Sequence, residues 1–139
     1  MSEITVNVST AALAYLGDCV MERCVRRFLV SAGLSTSRHL NKASLDFVKA
    51  GAQAQAYRNI ADILTEEEAA VFRRGRNTGH GNVPKSASVT EYRQATGLEA
   101  VFGFLDLEGR AERITELFER GYADKISAVN EKMKNNEYK

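Results

Sequence analysis

The sequence predicts an all-α fold in a single helical domain, on three observations. Ala, Leu, Glu, Arg and Lys, the stronger helix formers, dominate its 139 residues. One proline is present, and no run alternates Val, Ile or Thr with polar residues as a half-buried strand does. Apolar residues recur instead at three- and four-residue spacings, as in Leu98, Val101, Phe102 and Leu105. With 44% hydrophobic and 27% charged residues, one domain with a sizeable core is expected and a second of ordinary size has no room.

Each element has a local reason. Residues 1–8 form a short leader of mixed character, and Ser9 or Thr10 can cap a first helix that runs to about Ser31, with Gly33 marking its end. That helix is apolar on nearly every side until Arg23, Arg26 and Arg27, which predicts burial in a core or against a second subunit. Ser35-Thr36-Ser37 opens a second helical stretch, from about Arg38 to Leu64, rich in Ala and Gln and open to a break or bend at Gly51. Thr65 followed by Glu66, Glu67 and Glu68 is a capping-box pattern, and the helix it starts is expected to end near Arg74 and Gly75. Gly75 to Val89 is the most loop-like segment, longer than most connections, and such loops are commonly functional. A fourth helix is expected from about Thr90 to Leu107, and after Gly109 a last one from about Arg110 to Asp124 or beyond. The chain is thus divided into a leader (1–8), a helical domain (9–126) and a polar tail (127–139).

Several chemistries fall away early. Cys19 and Cys24 are five residues apart on one helix, about 140° around its axis at roughly 100° per residue, so they do not pair and suit small core positions in a reducing compartment. They form no ligand cluster with His39 and His80, which argues against zinc. The glycine-rich loop lacks the ending of a nucleotide-phosphate loop, and no pattern supports a Ser or Cys nucleophile. No stretch approaches the ~20 apolar residues of a membrane span, so a cytoplasmic protein is expected.

Two acids stand in apolar company. Asp18 lies in Tyr15-Leu16-Gly17-Asp18-Cys19-Val20-Met21, and Glu99 in Gly97-Leu98-Glu99-Ala100-Val101-Phe102. An ionised carboxylate buried there is costly unless paired, hydrogen-bonded or bound to a cation. A salt bridge to one of the many arginines would answer either acid alone; two such acids on two core helices favour a site for a hard cation such as Mg²⁺. Gly17 and Gly97 leave room beside them for another helix or a ligand.

The net charge is only +1, but the positive charge is concentrated. From Ala69 to Thr90 there is no acid, while Arg73, Arg74, Arg76 and Lys85 are basic. That stretch suits a nucleic-acid backbone, and equally suits a helix end whose arginines complement the negative end of the helix dipole.

Together these residues resemble a known family. Leu13-Ala14-Tyr15-Leu16-Gly17-Asp18-Cys19-Val20 resembles the signature helix of the ribonuclease III enzymes, and Leu98-Glu99-Ala100-Val101-Phe102-Gly103 resembles their second motif. Arg73-Arg74-Gly75-Arg76-Asn77, with Lys85, Tyr92 and Arg93, is similar to the basic segments of the compact Mini-ribonuclease III branch. The resemblance spans about Ala11 to Tyr122 and implies a dimeric, helical endonuclease domain paired through the signature helices.

It implies that Asp18 and Glu99 are catalytic and hold Mg²⁺. Arg73, Arg74, Arg76, Asn77, Lys85 and Arg93 would contact double-stranded RNA. The implied products carry 5′ phosphates and 3′ hydroxyls, and the implied substrate is a precursor of the large-subunit 23S ribosomal RNA, with a ribosomal protein as a further partner. Two acids of the longer family members are missing, Ala14 and Thr96 standing in their places. Thr96 is left to act as an auxiliary through its hydroxyl or a bound water. That loss also leaves open a catalytically silent duplex-RNA-binding or ribosome-assembly factor on the same fold. An unrelated helical DNA-binding module lacks a convincing recognition helix.

Overall fold

The structure is a computed structural model and describes residues 7–78, 83, 85 and 87–138. Among the described residues it is wholly helical, with no strand. The described residues form seven α-helices in order: α1 (Thr10–Ala32), α2 (Ser37–Val48), α3 (Ala50–Ile60), α4 (Glu66–Asn77), α5 (Val89–Leu107), α6 (Ala111–Gly121) and α7 (Ala123–Lys134), with a 3₁₀ turn at Ala61–Ile63.

The ends of these helices follow their sequence signals. Ser9 accepts from the amide of Ala12 at the start of α1, and Gly33 ends that helix in the left-handed region at φ 106°. Thr65 and Glu68 form a reciprocal capping box on α4, as expected, and Ser88 with Glu91 forms another on α5.

Helix α5 is the centre of the molecule, packed against α1, α3, α4 and α6. Leu98, Ala100, Val101, Phe102, Phe104 and Leu105 are all buried, so α5 has no water-facing side through its second half. Phe28, Phe47, Phe118 and Tyr122 make an aromatic cluster between α1, α2 and α6, and the Tyr122 hydroxyl donates to the Phe47 carbonyl at 2.9 Å. Glu68, 1% exposed, is held by Arg113, which donates to its two oxygens at 2.8 and 2.9 Å and to the Ile63 carbonyl at 2.7 Å. Burial alone would push the Glu68 carboxyl up; the Arg113 and Thr65 hydrogen bonds outweigh it and hold the carboxyl below its ordinary value.

The structure corrects several expectations. The long second stretch breaks at Lys49, a single extended residue (φ −64°, ψ 151°), while Gly51 lies inside α3. Helix α4 runs through Gly75 to Asn77, because Gly75 is needed at a helix crossing described below. The final helix is two, divided at Tyr122, and residues 127–139, read above as a tail, are helical as far as Lys134 with Val129 buried. Helix α1 is not buried all round: Leu13, Val20, Met21, Val25 and Leu29 fill the chain's own core, whereas Tyr15 (85% exposed) and Val30 (63%) face outward. Cys19, expected in the core, is exposed, and both cysteines are free.

Candidate active site

Two close helix crossings build the site. At the first, a side chain on Gly17 would overlap the main-chain carbonyl of Glu99, and one on Gly103 would overlap that of Leu13. Helices α1 and α5 therefore meet backbone to backbone, which only glycine permits. At the second, a methyl group on Gly75 would come within 2.9 Å of both Gly97 Cα and Ala100 Cβ, so the end of α4 lies directly on α5. The space beside Gly97 is filled by Phe72, whose ring stacks on Tyr57 at 3.7 Å between centroids.

Asp18 follows Gly17 in sequence and so emerges at the edge of the first crossing. It is exposed, not buried as its neighbours suggest, because the turn of the helix sends Gly17, Val20 and Met21 inward and Asp18 outward. Glu99 is half-buried on the facing helix. Asp18 and Gln53 are the neighbours that act on its carboxyl.

Burial above all, then the Asp18 hydrogen bond and the Asp18 charge, push the Glu99 carboxyl up to about 8, with Gln53 pulling the other way. Among the described residues no basic side chain forms an ion pair with either acid. Among those residues, then, no salt bridge accounts for two acids in apolar company, and none of their basic side chains compensates the negative charge of the pair.

Thr96 is one turn before Glu99 on α5, and its hydroxyl donates to the Tyr92 carbonyl at 3.0 Å. Its oxygen retains acceptor lone pairs. Arg73, Arg74, Arg76 and Asn77 are exposed at the end of α4, which the second crossing sets against the segment carrying Thr96 and Ala100. Arg76 lies over the Phe72 ring at 6.0 Å, and its Nε donates to Asn77 at 3.4 Å. Lys85 and Arg93 are exposed as well. Gly79, His80 and Gly81 of the glycine-rich loop lie outside the described residues.

One residue of this site was missed at the level of sequence. Gln53 sits in Ala50-Gly51-Ala52-Gln53-Ala54, a run of small residues that packs tightly, so the lone long polar side chain within it was the available signal.

Comparisons with known proteins show what the chain is similar to. The family model for the ribonuclease III domain matches residues 11–110, covering both helix crossings and both acids. The chain is 41% identical over 111 residues to the Mini-ribonuclease 3 of Brevibacillus brevis, covering 80% of this chain and 83% of that protein. It is 45% identical over 108 residues to that of Symbiobacterium thermophilum (77% and 82% covered) and 39% over 123 residues to that of Enterococcus faecalis (87% and 92%). An X-ray structure of a Fusobacterium nucleatum protein superposes with a TM-score of 0.77 at 31% identity, over 85% of this chain and 94% of that one. The chain belongs to the ribonuclease III family of endoribonucleases, in the compact branch of the Mini-ribonucleases 3.

Proposed function

We propose that the protein is a Mg²⁺-dependent endonuclease for double-stranded RNA, with Asp18 and Glu99 as its catalytic, cation-holding acids. The observation that carries this is the nearness of two carboxyls with no basic ion-pair partner among the described residues. Two carboxylates, a neighbouring amide and the Thr96 hydroxyl offer only hard oxygen donors, and Mg²⁺ needs one or two protein carboxylates while keeping several waters. Among the described residues no group of three or more acidic, histidine or cysteine ligands forms, which argues against a dedicated all-protein cage. The residues fit the ion.

Asp18, on the open side, would hold the cation where a phosphate can reach it, and Glu99 would hold it from the inner side. When bound, the ion supplies the charge that activates water and stabilises the departing 3′ oxygen. Hydrolysis breaks the bond between phosphorus and the 3′ oxygen; water's hydroxyl stays on the 5′ phosphate and its proton ends on the 3′ oxygen. Thr96 positions a water through its free lone pairs. Arg73, Arg74, Arg76, Asn77, Lys85 and Arg93 hold the backbone of the duplex beside this centre, by shape and charge rather than by base sequence.

The same reading takes the protein as a homodimer joined along the exposed face of α1, one active centre per strand. Its substrate is then a duplex in precursor 23S ribosomal RNA, in the cytoplasm, with a ribosomal protein as a further partner. No helix of the described residues is long and apolar enough to cross a membrane.

The test is cleavage of labelled duplex RNA with and without Mg²⁺ by the wild type, Asp18→Asn and Glu99→Gln. The wild type should cut only with Mg²⁺, and each variant should bind RNA without cutting it. Wild-type rates in both variants would reject these two acids as the active site. A wild type that binds duplex RNA but never cuts it would instead support the silent-factor reading raised by Ala14 and Thr96.

A further inference from the structure

We infer that residues 135–138 are the latch of a hinged flap: they fasten α7 to α2, and without them α7 opens about Tyr122 as a unit while the helices carrying the two acids stay folded.

Helix α7 is poorly held by its own side chains. Its 12 residues bury one of them, Val129, with Ile126 and Met133 half-buried against the core. No side chain caps its first turn at Tyr122. A helix this short is marginal in water without tertiary support. Its first boundary is firm, however: Tyr122 is buried and its hydroxyl is fixed on the Phe47 carbonyl. That gives α7 a pivot at one end, so its other end decides whether it stays closed.

At that end the chain turns back. Asn136 enters the left-handed region at φ 55°. Its amide donates to the Met133 carbonyl at 3.1 Å, and the Glu137 amide donates to the Lys132 carbonyl at 2.9 Å. This pair of bonds ends the helix and reverses the chain. Tyr138 is thereby returned to α2, where its ring meets that of His39 edge-on with centroids 5.6 Å apart. Lys132 of α7 lies over the same ring at 5.7 Å. Tyr138 also lines a cavity of about 100 Å³ between Ala43 and Phe47 of α2 and Ala128 and Val129 of α7. One aromatic side chain therefore touches both helices and joins them.

The flap is separable from the catalytic body. Helix α7 packs chiefly on α1 and α6, and it lies beyond residues 11–110, which match the ribonuclease III domain. Its opening leaves α5 among α1, α3, α4 and α6. Local units of this kind open at a free energy below that of the whole molecule.

The test is hydrogen–deuterium exchange in the full chain. Tyr138→Ala removes the ring. Asn136→Val places a branched side chain at a positive φ and opposes the reversal, whereas Asn136→Gly favours it. Amides of α7 should exchange faster by about 10-fold in Tyr138→Ala and Asn136→Val, the loss expected for one aromatic and one cation–π contact. They should exchange no faster than wild type in Asn136→Gly, and those of α5 should be unchanged throughout. Wild-type exchange across α7 in either Tyr138→Ala or Asn136→Val overturns the latch. An equal rise in α5 overturns the flap, because the molecule would then be opening as one.

Discussion

Gly17 lies against the main-chain carbonyl of Glu99, so the residue before one acid touches the backbone of the other. The separation of the two acids is thereby set by a backbone contact rather than by flexible side chains. Preorganisation of this kind favours catalysis, since a site held by rigid elements needs little rearrangement on binding.

A methyl group at this point should be costly. Gly17→Ala is expected to destabilise the protein by about 3 kcal/mol or more, because the obstacle is a main-chain carbonyl that cannot turn aside. Gly109→Ala is the control: nothing lies within 4 Å of its added carbon, and only its φ of 71° opposes the change, at about 1–2 kcal/mol. Chemical denaturation compares them, and equal losses would argue against the close crossing.

The carboxyl pair links stability to pH. Glu99 is pushed up to about 8 from an ordinary 4.5, first by burial and then by Asp18. Between those values the folded protein keeps a proton that the unfolded chain has released. The metal-free protein should therefore lose stability as pH rises through that window, with no further change from this group above it. A bound cation displaces the proton, so affinity for Mg²⁺ should climb with pH up to about 8 and then level. Thermal melts with and without Mg²⁺ measure both, and Glu99→Gln should remove the slope; a variant that keeps it would assign the slope to other groups.

Neutralising the basic edge should act on binding, not folding. Arg74, Arg76 and Lys85 are exposed. Changing all three to Ala should weaken binding to many duplex sequences alike and reduce the salt slope by up to about 3. Were these side chains present only to complement a helix end, the triple variant would lose stability, about 0.3–1 kcal/mol for each helix-end arginine, and bind RNA as before. Titrations at several salt concentrations, with a melt on the same sample, separate these outcomes.

Association should depend on the outer face of α1. Tyr15 is 85% exposed, one turn before Asp18 on that face, and so large an exposed aromatic suits an interface. Tyr15→Arg is expected to weaken a homodimer while leaving each chain folded. Met21→Arg should unfold the chain instead, because Met21 is fully buried within it. Sedimentation of wild type and Tyr15→Arg provides the comparison; a wild type active as a monomer would refute the dimer.

Much of this was legible in the sequence, for identifiable reasons. Caps such as Thr65 with Glu68 act within one turn, so their residues announce them. Asp18 and Glu99 were conspicuous because ionised groups are rare among apolar neighbours. The break at Lys49 has no local marker, and Tyr122, where the last two helices divide, is anchored by a distant contact with Phe47. The outward turn of Asp18 could not be read either, because α1 carries apolar residues on both faces and only packing decides which is inside. Gln53 was hidden for a related reason: the acid it neighbours stands 46 positions along the chain.

The clamp of Arg113 on Glu68 has a consequence for how the molecule meets a polyanion. Helix α4 begins with three glutamates and ends among arginines. At its acidic end Arg113 neutralises Glu68 and Arg110 pairs with Glu67 at 3.1 Å, whereas Arg73 and Arg74 at the other end have no such counterpart among the described residues. The protein is thus nearly neutral in sum yet lopsided in field. On the proposed reading, an approaching duplex would be drawn in and turned by one end of one helix, so its association rate should fall with ionic strength as that of a far more basic protein does.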